Sequence, residues 1–189
     1  MTNVEKLAEL LAQLAYREGD FQLSSGRKSD FYLDAKQVTY HPDGVQCVGR
    51  AVLDLIETHN IEAVGGLTMG ADAIVTSVVW ASIERARPIP GFVVRKEPKA
   101  HGLNKGLEGI APKGKRVAIV DDVITTGDSV IKAVKVAQDM GAEVALVVAL
   151  VDREEGGREN IEQLGVPFLS VCTVSEIRQI TRQGAGAAA

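Results

Sequence analysis

The sequence predicts an α/β domain in which a central parallel sheet is flanked by helices on both faces. Two observations lead to this prediction. From Ile61 onward, short β-like runs alternate with segments of helical periodicity, and strands that alternate with helices form parallel sheets. Residues 144–151 are almost entirely apolar, which is typical of a strand covered by helices on both sides.

The elements before Ile61 are predicted to form a smaller N-terminal part. Thr2 and Glu5 fit a capping box, and apolar residues then recur at helical spacing, with Gly19 following the helix end. Two β-like runs, at 21–23 and 31–33, enclose a polar, basic stretch and predict a hairpin. A second helix is expected over residues 43–58.

The later elements follow in alternation. A glycine-rich loop, residues 65–70, separates the first strand of the sheet from a helix that runs through Trp80. A further helix ends at Gly141, and another closes the chain. The strands are expected at residues 61–64, 91–94, 117–120, 144–151 and 166–171.

The bulk composition is that of one globular domain. The chain has 189 residues, of which 46% are hydrophobic and 24% are charged, so we expect a single domain over residues 1–183. Residues 184–189 contain only glycine and alanine and are predicted to be an unstructured tail. The net charge of −4 argues against nucleic acid as the main partner, because phosphate backbones require a basic face.

The sequence also indicates a cellular location. It contains no apolar run long enough to span a membrane and no N-terminal secretory signal. Its two cysteines, Cys47 and Cys172, have the spacing of neither a zinc site nor a disulfide framework. We therefore expect a cytoplasmic protein with two buried thiols and no membrane partner.

The segment 117–129 carries the clearest chemical signal. A buried strand ends in Asp121 and Asp122, and a turn with Thr125 and Thr126 leads into a helix. Ligands of open α/β sheets lie beyond the C-terminal ends of strands, and helix N-termini bind anions, so the turn suits a phosphate monoester. The carboxylates would repel that phosphate but can accept hydrogen bonds from a sugar diol. The pattern therefore predicts a ribose 5-phosphate site.

Other interpretations of this segment are weaker. The pentapeptide Thr-Thr-Gly-Asp-Ser by itself is more typical of a helix cap, and the preceding acidic pair favours the sugar phosphate. The sequence contains no GxxxxGK[ST] motif and no GxGxxG motif after a strand. It therefore predicts neither a P-loop nor a dinucleotide-binding turn.

Residues 95–115 have no apolar periodicity and are rich in glycine, lysine and proline. The segment is either a solvated surface loop, which is the interpretation we prefer for Lys105, or a mobile loop that closes over an anionic substrate. We favour closure because basic residues are concentrated in it. They are Arg95, Lys96, Lys99, His101 and Lys105.

Residues 120–127 resemble the phosphoribosyl diphosphate (PRPP) signature of type I phosphoribosyltransferases. Further stretches resemble the orotate phosphoribosyltransferases of that family, in order along the chain from about residue 21 to residue 173. They match the N-terminal hood, the pyrophosphate loop, the catalytic loop and the segment that holds the orotate carboxylate, at residues 25–32, 65–71, 95–102 and 151–157.

The resemblance implies the type I phosphoribosyltransferase fold, with a small hood mainly within residues 1–40 and a flexible catalytic loop. It implies that orotate displaces pyrophosphate from PRPP, giving orotidine 5′-monophosphate in pyrimidine biosynthesis. Mg²⁺, held mainly through substrate oxygens, is implied as the cofactor. A homodimer in which the basic loop reaches the partner's active site is implied as well.

The resemblance also assigns roles to individual residues. Lys99 is expected to stabilise the leaving group with help from the other basic loop residues, and His101 either transfers a proton or acts as a neutral donor. The catalytic residues are then Lys99, His101, Asp121 and Asp122. PRPP is predicted to contact Arg95, Lys96, Lys99, His101, Asp121, Asp122, Val123, Ile124, Thr125, Thr126, Gly127, Asp128 and Ser129. Orotate is predicted to contact Phe31, Tyr32, Thr125 and Arg153.

Two positions depart from the family pattern. Ser24, in the hood, and Gly70, in the pyrophosphate loop, stand where many members carry lysine. The chain therefore has fewer fixed positive charges against the diphosphate. Backbone N–H groups of residues 67–71 and the basic loop must compensate, or PRPP binds more weakly.

Arg153 is the residue that selects the base. A guanidinium binds a carboxylate through two hydrogen bonds, and orotate has a carboxylate whereas uracil, adenine and guanine do not. The alternative is a surface salt bridge with Glu154 or Glu155. The rival functions are a phosphoribosyltransferase for another base and a non-catalytic regulator that senses PRPP and binds nucleic acid.

Overall fold

The computed structural model describes residues 1–22, 26, 28–97 and 106–187. In chain order the strands are β1 (Tyr16–Gln22), β2 (Lys28–Leu33), β3 (Ala63–Leu67), β4 (Gly91–Val94), β5 (Leu107–Gly109), β6 (Arg116–Ile124), β7 (Glu143–Asp152) and β8 (Phe168–Thr173). The α-helices are α1 (Asn3–Leu10), α2 (Lys36–Thr39), α3 (Pro42–Ile56), α4 (Asp72–Glu84), α5 (Asp128–Asp139), α6 (Gly157–Glu162) and α7 (Val174–Ala187).

Six strands form the central sheet in the order β5-β4-β3-β6-β7-β8. Neighbouring strands run parallel except β4 and β5, which are antiparallel. The predicted α/β class is therefore confirmed, with one difference at the edge. β5 lies inside the segment that the sequence predicts to lack structure, and it pairs antiparallel with β4, an arrangement that needs no crossover helix.

Helices cover both faces of this sheet. Side chains alternate along β6, so Val117 and Ile119 pack beneath α5 and α6, while Ala118 and Val120 face the opposite layer. That second layer contains α1, α3, α4 and α7. The two cores hold β6 and β7 rigidly at the centre, which fixes the position of whatever follows their C-terminal ends.

The N-terminal hairpin forms a separate two-stranded sheet, β1-β2. The sequence predicts that the first helix reaches almost to Gly19, but the helix ends in a π-helical turn at Leu11–Ala15 and β1 begins at Tyr16. Gly19 instead lies within β1, where the pairing register with β2 shifts. A β-bulge tolerates glycine as readily as a helix end does, so local sequence favours both.

Two strand ends and one helix end also differ from prediction. β3 includes Gly65 and Gly66, which the sequence predicts as loop. Their neighbours leave no space for a side chain. A Cβ on Gly65 would lie 2.3 Å from the Phe92 ring, and a Cβ on Gly66 would lie 2.2 Å from the Val120 carbonyl oxygen. β6 continues through both acidic residues. α7 includes residues 184–187, which the sequence assigns to an unstructured tail. Within the described part of the chain, no helix is both long and apolar enough to cross a membrane.

Candidate active site

Two buried carboxylates, Asp121 and Asp122, form an acidic pair near the C-terminal end of β6. They are only 6% and 7% exposed. Asp121 Oδ1 accepts a hydrogen bond from the Asp122 N–H at 2.9 Å, and Asp122 Oδ1 accepts one from the Val123 N–H at 2.8 Å. The sequence predicts that the strand ends in these acids, and the structure continues the strand to Ile124.

Burial and repulsion change the proton affinity of the acidic pair. Removal from water raises the pKa of Asp121 to about 7, the charge of Asp122 adds to this rise, and the charge of Lys36 opposes it. Two adjacent buried carboxylates resist double ionisation. The pair therefore binds a proton near neutral pH even beside Lys36, and a hydrogen-bond donor from a ligand would further stabilise its charged form.

Lys36, the first residue of α2, brings a positive charge to the acidic pair. Its Nζ lies 2.5 Å from Asp122 Oδ2. Burial acts to lower the pKa of Lys36, but the hydrogen bond and charge of Asp122, with the charges of Asp34 and Asp121, outweigh it and raise the pKa. The lysine therefore stays an ammonium ion across the physiological range.

Gly70 approaches the acidic pair from the loop between β3 and α4. A Cβ at Gly70 would lie 2.3 Å from Asp121 Oδ1 and 2.9 Å from Asp122 Oδ1. Both of those oxygens are held by backbone N–H groups, so they cannot move aside without losing a hydrogen bond. This backbone therefore has no space for the lysine that many family members carry at this position.

Replacing Gly70 with alanine should displace the Asp121 carboxylate. Overpacking of this kind costs about 1–3 kcal/mol, so we expect KM for PRPP to rise by about tenfold while KM for orotate stays unchanged. Steady-state kinetics with each substrate varied in turn measures both values. Gly184→Ala is the matched control, because a Cβ there meets nothing within 4 Å. A normal KM for PRPP in Gly70→Ala would contradict the expectation that a side chain at this position displaces the Asp121 carboxylate.

The turn after β6 leads directly into α5. Gly127 has a φ of 86°, in the left-handed region that favours glycine. Thr126 Oγ1 donates to Asp128 Oδ2 at 2.8 Å, and Asn160 Nδ2 donates to the Thr126 carbonyl oxygen at 2.9 Å. The first-turn N–H groups of α5 have no acceptors within the helix, and the helix dipole is positive at this end. The turn, including Thr125 and Ser129, can therefore bind a phosphate.

Arg153 follows β7, beside the end of β6. Its N–H donates to the Ile124 carbonyl oxygen at 2.9 Å, which fixes it next to Thr125. The side chain is 12% exposed, bonds Glu155 Oε1 at 2.8 Å and lies 4.7 Å from the centroid of the Phe31 ring. The structure thus brings three predicted orotate residues together, and it also contains the salt bridge that was the alternative interpretation of Arg153.

Phe31 and Tyr32 face opposite sides of β2, because successive side chains of a strand alternate. The Phe31 ring is buried, with the guanidinium groups of Arg153 and Arg178 at 4.7 and 4.9 Å from its centroid. Tyr32 is exposed and contacts Phe21, with 5.7 Å between ring centroids. The two rings therefore lie on opposite sides of β2, and the Phe31 ring packs against the Arg153 guanidinium.

The predicted basic loop is described only at its ends. Arg95 Nη1 lies 3.0 Å from Glu108 Oε1, so this arginine bridges β4 and β5, and Lys96 is exposed. The remaining predicted hood and loop residues cannot be related to the acidic pair, since they lie outside the described ranges. They are Ser24, Ser25, Arg27, Lys99, His101 and Lys105.

Two residues near the site have no counterpart among the sequence predictions. Lys36 is 86 positions from its partner Asp122, and no local motif links them. Arg178 belongs to an amphipathic helix, where a charge is ordinarily solvated, yet it donates to Asp30 Oδ1 at 2.7 Å and covers Phe31. Both contacts depend on chain topology, and a single sequence carries no signal for either.

The comparisons with known proteins agree with this geometry. The family model described as "Phosphoribosyl transferase domain" matches residues 36–164. The chain is 47% identical over 180 residues to the orotate phosphoribosyltransferase of Aquifex aeolicus, covering 94% of this chain and 98% of that relative. It is 46% identical over 175 residues to that of Nostoc sp., covering 92% and 84% respectively.

Solved structures give the same result. The orotate phosphoribosyltransferase of Mycobacterium tuberculosis in complex with Fe(III) dicitrate has a TM-score of 0.84 and 40% identity, covering 93% of this chain and 98% of that one. Its complex with PRPP has a TM-score of 0.80 and 36% identity, with the same coverage. The chain therefore belongs to the phosphoribosyltransferase family. Within that family it belongs to the orotate phosphoribosyltransferases.

Proposed function

We propose that this chain transfers the phosphoribosyl group of PRPP to orotate, forming orotidine 5′-monophosphate and pyrophosphate in pyrimidine biosynthesis. One observation carries the proposal. The parallel neighbours β6 and β7 end side by side, with Ile124 paired to Asp152. An acidic pair that can accept a diol, a turn suited to a phosphate and an arginine suited to a carboxylate therefore adjoin each other, so that one nucleotide can contact all three.

The reaction exchanges one bond at C1 of the ribose. A ring nitrogen of orotate forms a bond to C1 while the bond from C1 to the pyrophosphate oxygen breaks, and pyrophosphate leaves with that electron pair. The acidic pair accepts hydrogen bonds from the ribose hydroxyls, and the turn before α5 binds the 5-phosphate. Lys99, with Arg95, Lys96 and His101, is assigned to the charge that develops on pyrophosphate.

Mg²⁺ fits this assignment as an ion that arrives with PRPP. It prefers hard oxygen ligands and keeps several of them from substrate phosphates. Among the described residues, no group of three or more His, Cys, Asp or Glu side chains is placed to hold a metal. When bound, the ion would neutralise charge on the leaving pyrophosphate. The contribution of this chain is to place the diphosphate beside Gly70 and the basic loop.

An assay with a panel of bases tests the substrate assignment. The protein is mixed with PRPP and Mg²⁺, and orotate, uracil, adenine or guanine is offered in turn while loss of the base is followed. We expect only orotate to be consumed, because only orotate has a carboxylate for Arg153. Consumption of another base in preference to orotate would contradict the substrate. Binding of PRPP without consumption of any base would support a regulator instead.

We also propose that the chain forms a homodimer through one face of α4. Thr76, Trp80 and Ile83 are spaced so that they share a helix face, and all three are exposed. Trp80 is 42% exposed and Ile83 is 63% exposed. Met69, in the loop that leads to Gly70, is also exposed. A second copy that covered Met69 as well would reach the loop beside the acidic pair, as a shared active site requires.

Replacing Trp80 with glutamate should convert the dimer to a monomer, because a buried unpaired charge at an interface costs several kcal/mol, about 2–5. Size-exclusion chromatography with light scattering measures the mass, and we expect activity to fall with it. Leu164→Glu is the control, since Leu164 is similarly exposed but follows α6. A dimer that survives Trp80→Glu would exclude this face.

A cytoplasmic location is part of the same proposal. Cys47 and Cys172 are both thiols. Burial, and to a smaller extent the charge of Glu176, raises the pKa of Cys172 to about 12, so this thiol is unreactive. Cys47 is half-buried, where the sequence predicts full burial. Two unpaired thiols are typical of a reducing compartment.

A further inference from the structure

Lys36 connects the N-terminal part of the chain to the acidic pair. It begins α2, and its backbone N–H donates to Asp34 Oδ1 at 3.1 Å, which fixes the start of that short helix. Its side chain is 40% exposed and ends 2.5 Å from Asp122 Oδ2. The ammonium group therefore lies between solvent and the buried carboxylate, on the open side of the pair.

In the described part of the chain, the other elements around the pair provide no positive charge. The loop after β3 presents Gly70, whose backbone leaves no space for a side chain. β7 places Ala149 opposite Asp121 in the parallel register. Asp34, just before α2, adds negative charge near Lys36. Among the described residues, Lys36 is the cation that contacts the acidic pair.

This contact leaves the carboxylate able to bind a ligand. A carboxylate offers about four lone-pair sites. On Asp122, Oδ1 accepts a hydrogen bond from the Val123 N–H, and Oδ2 accepts one from Lys36 Nζ. Lone pairs remain on both oxygens for a hydroxyl donor. A ribose hydroxyl can therefore join the existing contacts without displacing the lysine.

We propose that Lys36 is a positioning residue for PRPP, which favours the charged form of the acidic pair and holds it in place so that it accepts the ribose hydroxyls. The inference rests on the proposed role of the acidic pair in binding the ribose. Without the lysine, the pair would retain a proton to higher pH. A protonated carboxyl is a poorer acceptor, and its proton would compete with the ribose for the same oxygens.

A purely structural ion pair would behave differently. Exposed pairs contribute little to stability, and the loss of a half-exposed lysine would then change the unfolding temperature slightly. Such a loss would not change KM for PRPP more than KM for orotate, and it would not change the pH dependence of PRPP binding. These two readouts therefore distinguish positioning of the pair from simple packing.

The test compares Lys36→Met and Lys36→Arg with a matched control, Lys135→Met, which removes an exposed lysine from α5. We measure kcat and KM for both substrates from about pH 6.5 to about pH 9, the range that spans the titration of such a pair. In Lys36→Met we expect KM for PRPP to rise by about tenfold near neutral pH, as for loss of a hydrogen bond to a charged group. We expect kcat and KM for orotate to change little, since the diol is bound in both ground and transition states.

The pH profile gives the second readout. The deficit of Lys36→Met should shrink as pH rises, because the acidic pair then loses its proton without help from the lysine. Lys36→Arg should restore most PRPP affinity, since it keeps the charge, and Lys135→Met should match the unmodified protein. Lys36→Gln carries the same expectations as the methionine variant if the latter does not fold.

Three outcomes would overturn the inference. One is a KM for PRPP in Lys36→Met that equals that of Lys135→Met at every pH. Another is a fall in kcat together with a rise in both KM values, in proportion to a fall in the unfolding temperature. The third uses Asp122→Asn: if this variant weakens PRPP binding and Lys36→Met does not, only the role of Lys36 fails. If Asp122→Asn binds PRPP normally, the proposed role of the acidic pair fails, and the inference fails with it.

Discussion

Replacing Arg153 with methionine should raise KM for orotate by about tenfold to a hundredfold and leave PRPP binding nearly unchanged. Hydrogen bonds to a charged group contribute about 1.5–3 kcal/mol, and each 1.4 kcal/mol or so is a factor of about ten in affinity. Methionine keeps the unbranched apolar stem, but it lacks the guanidinium and donates no hydrogen bond. The carboxylate of orotate would then be desolvated without a partner.

The salt bridge between Glu155 and Arg153 is compatible with orotate binding. Glu155 bonds Arg153 in the structure, and a guanidinium has five N–H donors, so the salt bridge and the orotate carboxylate can be bound together. Arg182→Met is the control, because Arg182 is exposed on α7. Steady-state kinetics with orotate varied, and titration of PRPP by calorimetry, measure the two affinities. Normal orotate kinetics in Arg153→Met would remove this residue from the base site.

Replacing Lys99 with alanine should lower kcat by about a thousandfold. An ammonium group about 4 Å from the leaving pyrophosphate contributes roughly 4 kcal/mol at an effective dielectric constant near 20. Most of that contribution appears only as the charge develops, so it stabilises the transition state more than the substrate complex. Lys99 lies outside the described residues, and this prediction comes from the sequence and its resemblance alone.

Single-turnover measurements separate the chemical step from product release in this variant. Lys105→Ala is the matched control, since Lys105 belongs to the same basic loop and is predicted to be solvated. We expect the orotate dissociation constant to change by less than about twofold in either variant, because neither lysine is assigned to the base. An unchanged single-turnover rate in Lys99→Ala would exclude it as the stabiliser of the leaving group.

The periodicity of the sequence predicts the fold class correctly. The predicted element boundaries are wrong where one local sequence pattern is compatible with two kinds of structure. The apolar runs that form β7 and the first part of β6 are direct consequences of burial on both faces, so they are readable from residue types. Gly19, Gly65 and Gly66 were assigned to a helix end and a loop, although all three lie in strands. Glycine permits a turn, a bulge or a close approach, and the neighbours that decide among these are distant in sequence.

The candidate site likewise has features that the sequence predicts correctly and features that it does not. Asp121, Asp122 and the turn before α5 are contiguous, so their chemistry could be predicted together. Phe31 and Tyr32 were assigned one role, but strand alternation sends their side chains to opposite faces of β2. The strand that the sequence predicts at residues 31–33 already implies this alternation, so the opposite orientations of the two side chains follow from the sequence pattern.

The sequence by itself determined which chemical groups the candidate site has available: an acidic pair, a turn suited to a phosphate, an arginine suited to a carboxylate and a basic loop. It did so because each of these groups lies within one short segment. Only the tertiary structure decided how the groups meet, because those contacts join distant segments. It placed Lys36 on Asp122, Gly70 against both carboxylates, and Phe31 beneath Arg153. The physical reason is that buried charge must be balanced by whichever neighbours the chain topology supplies.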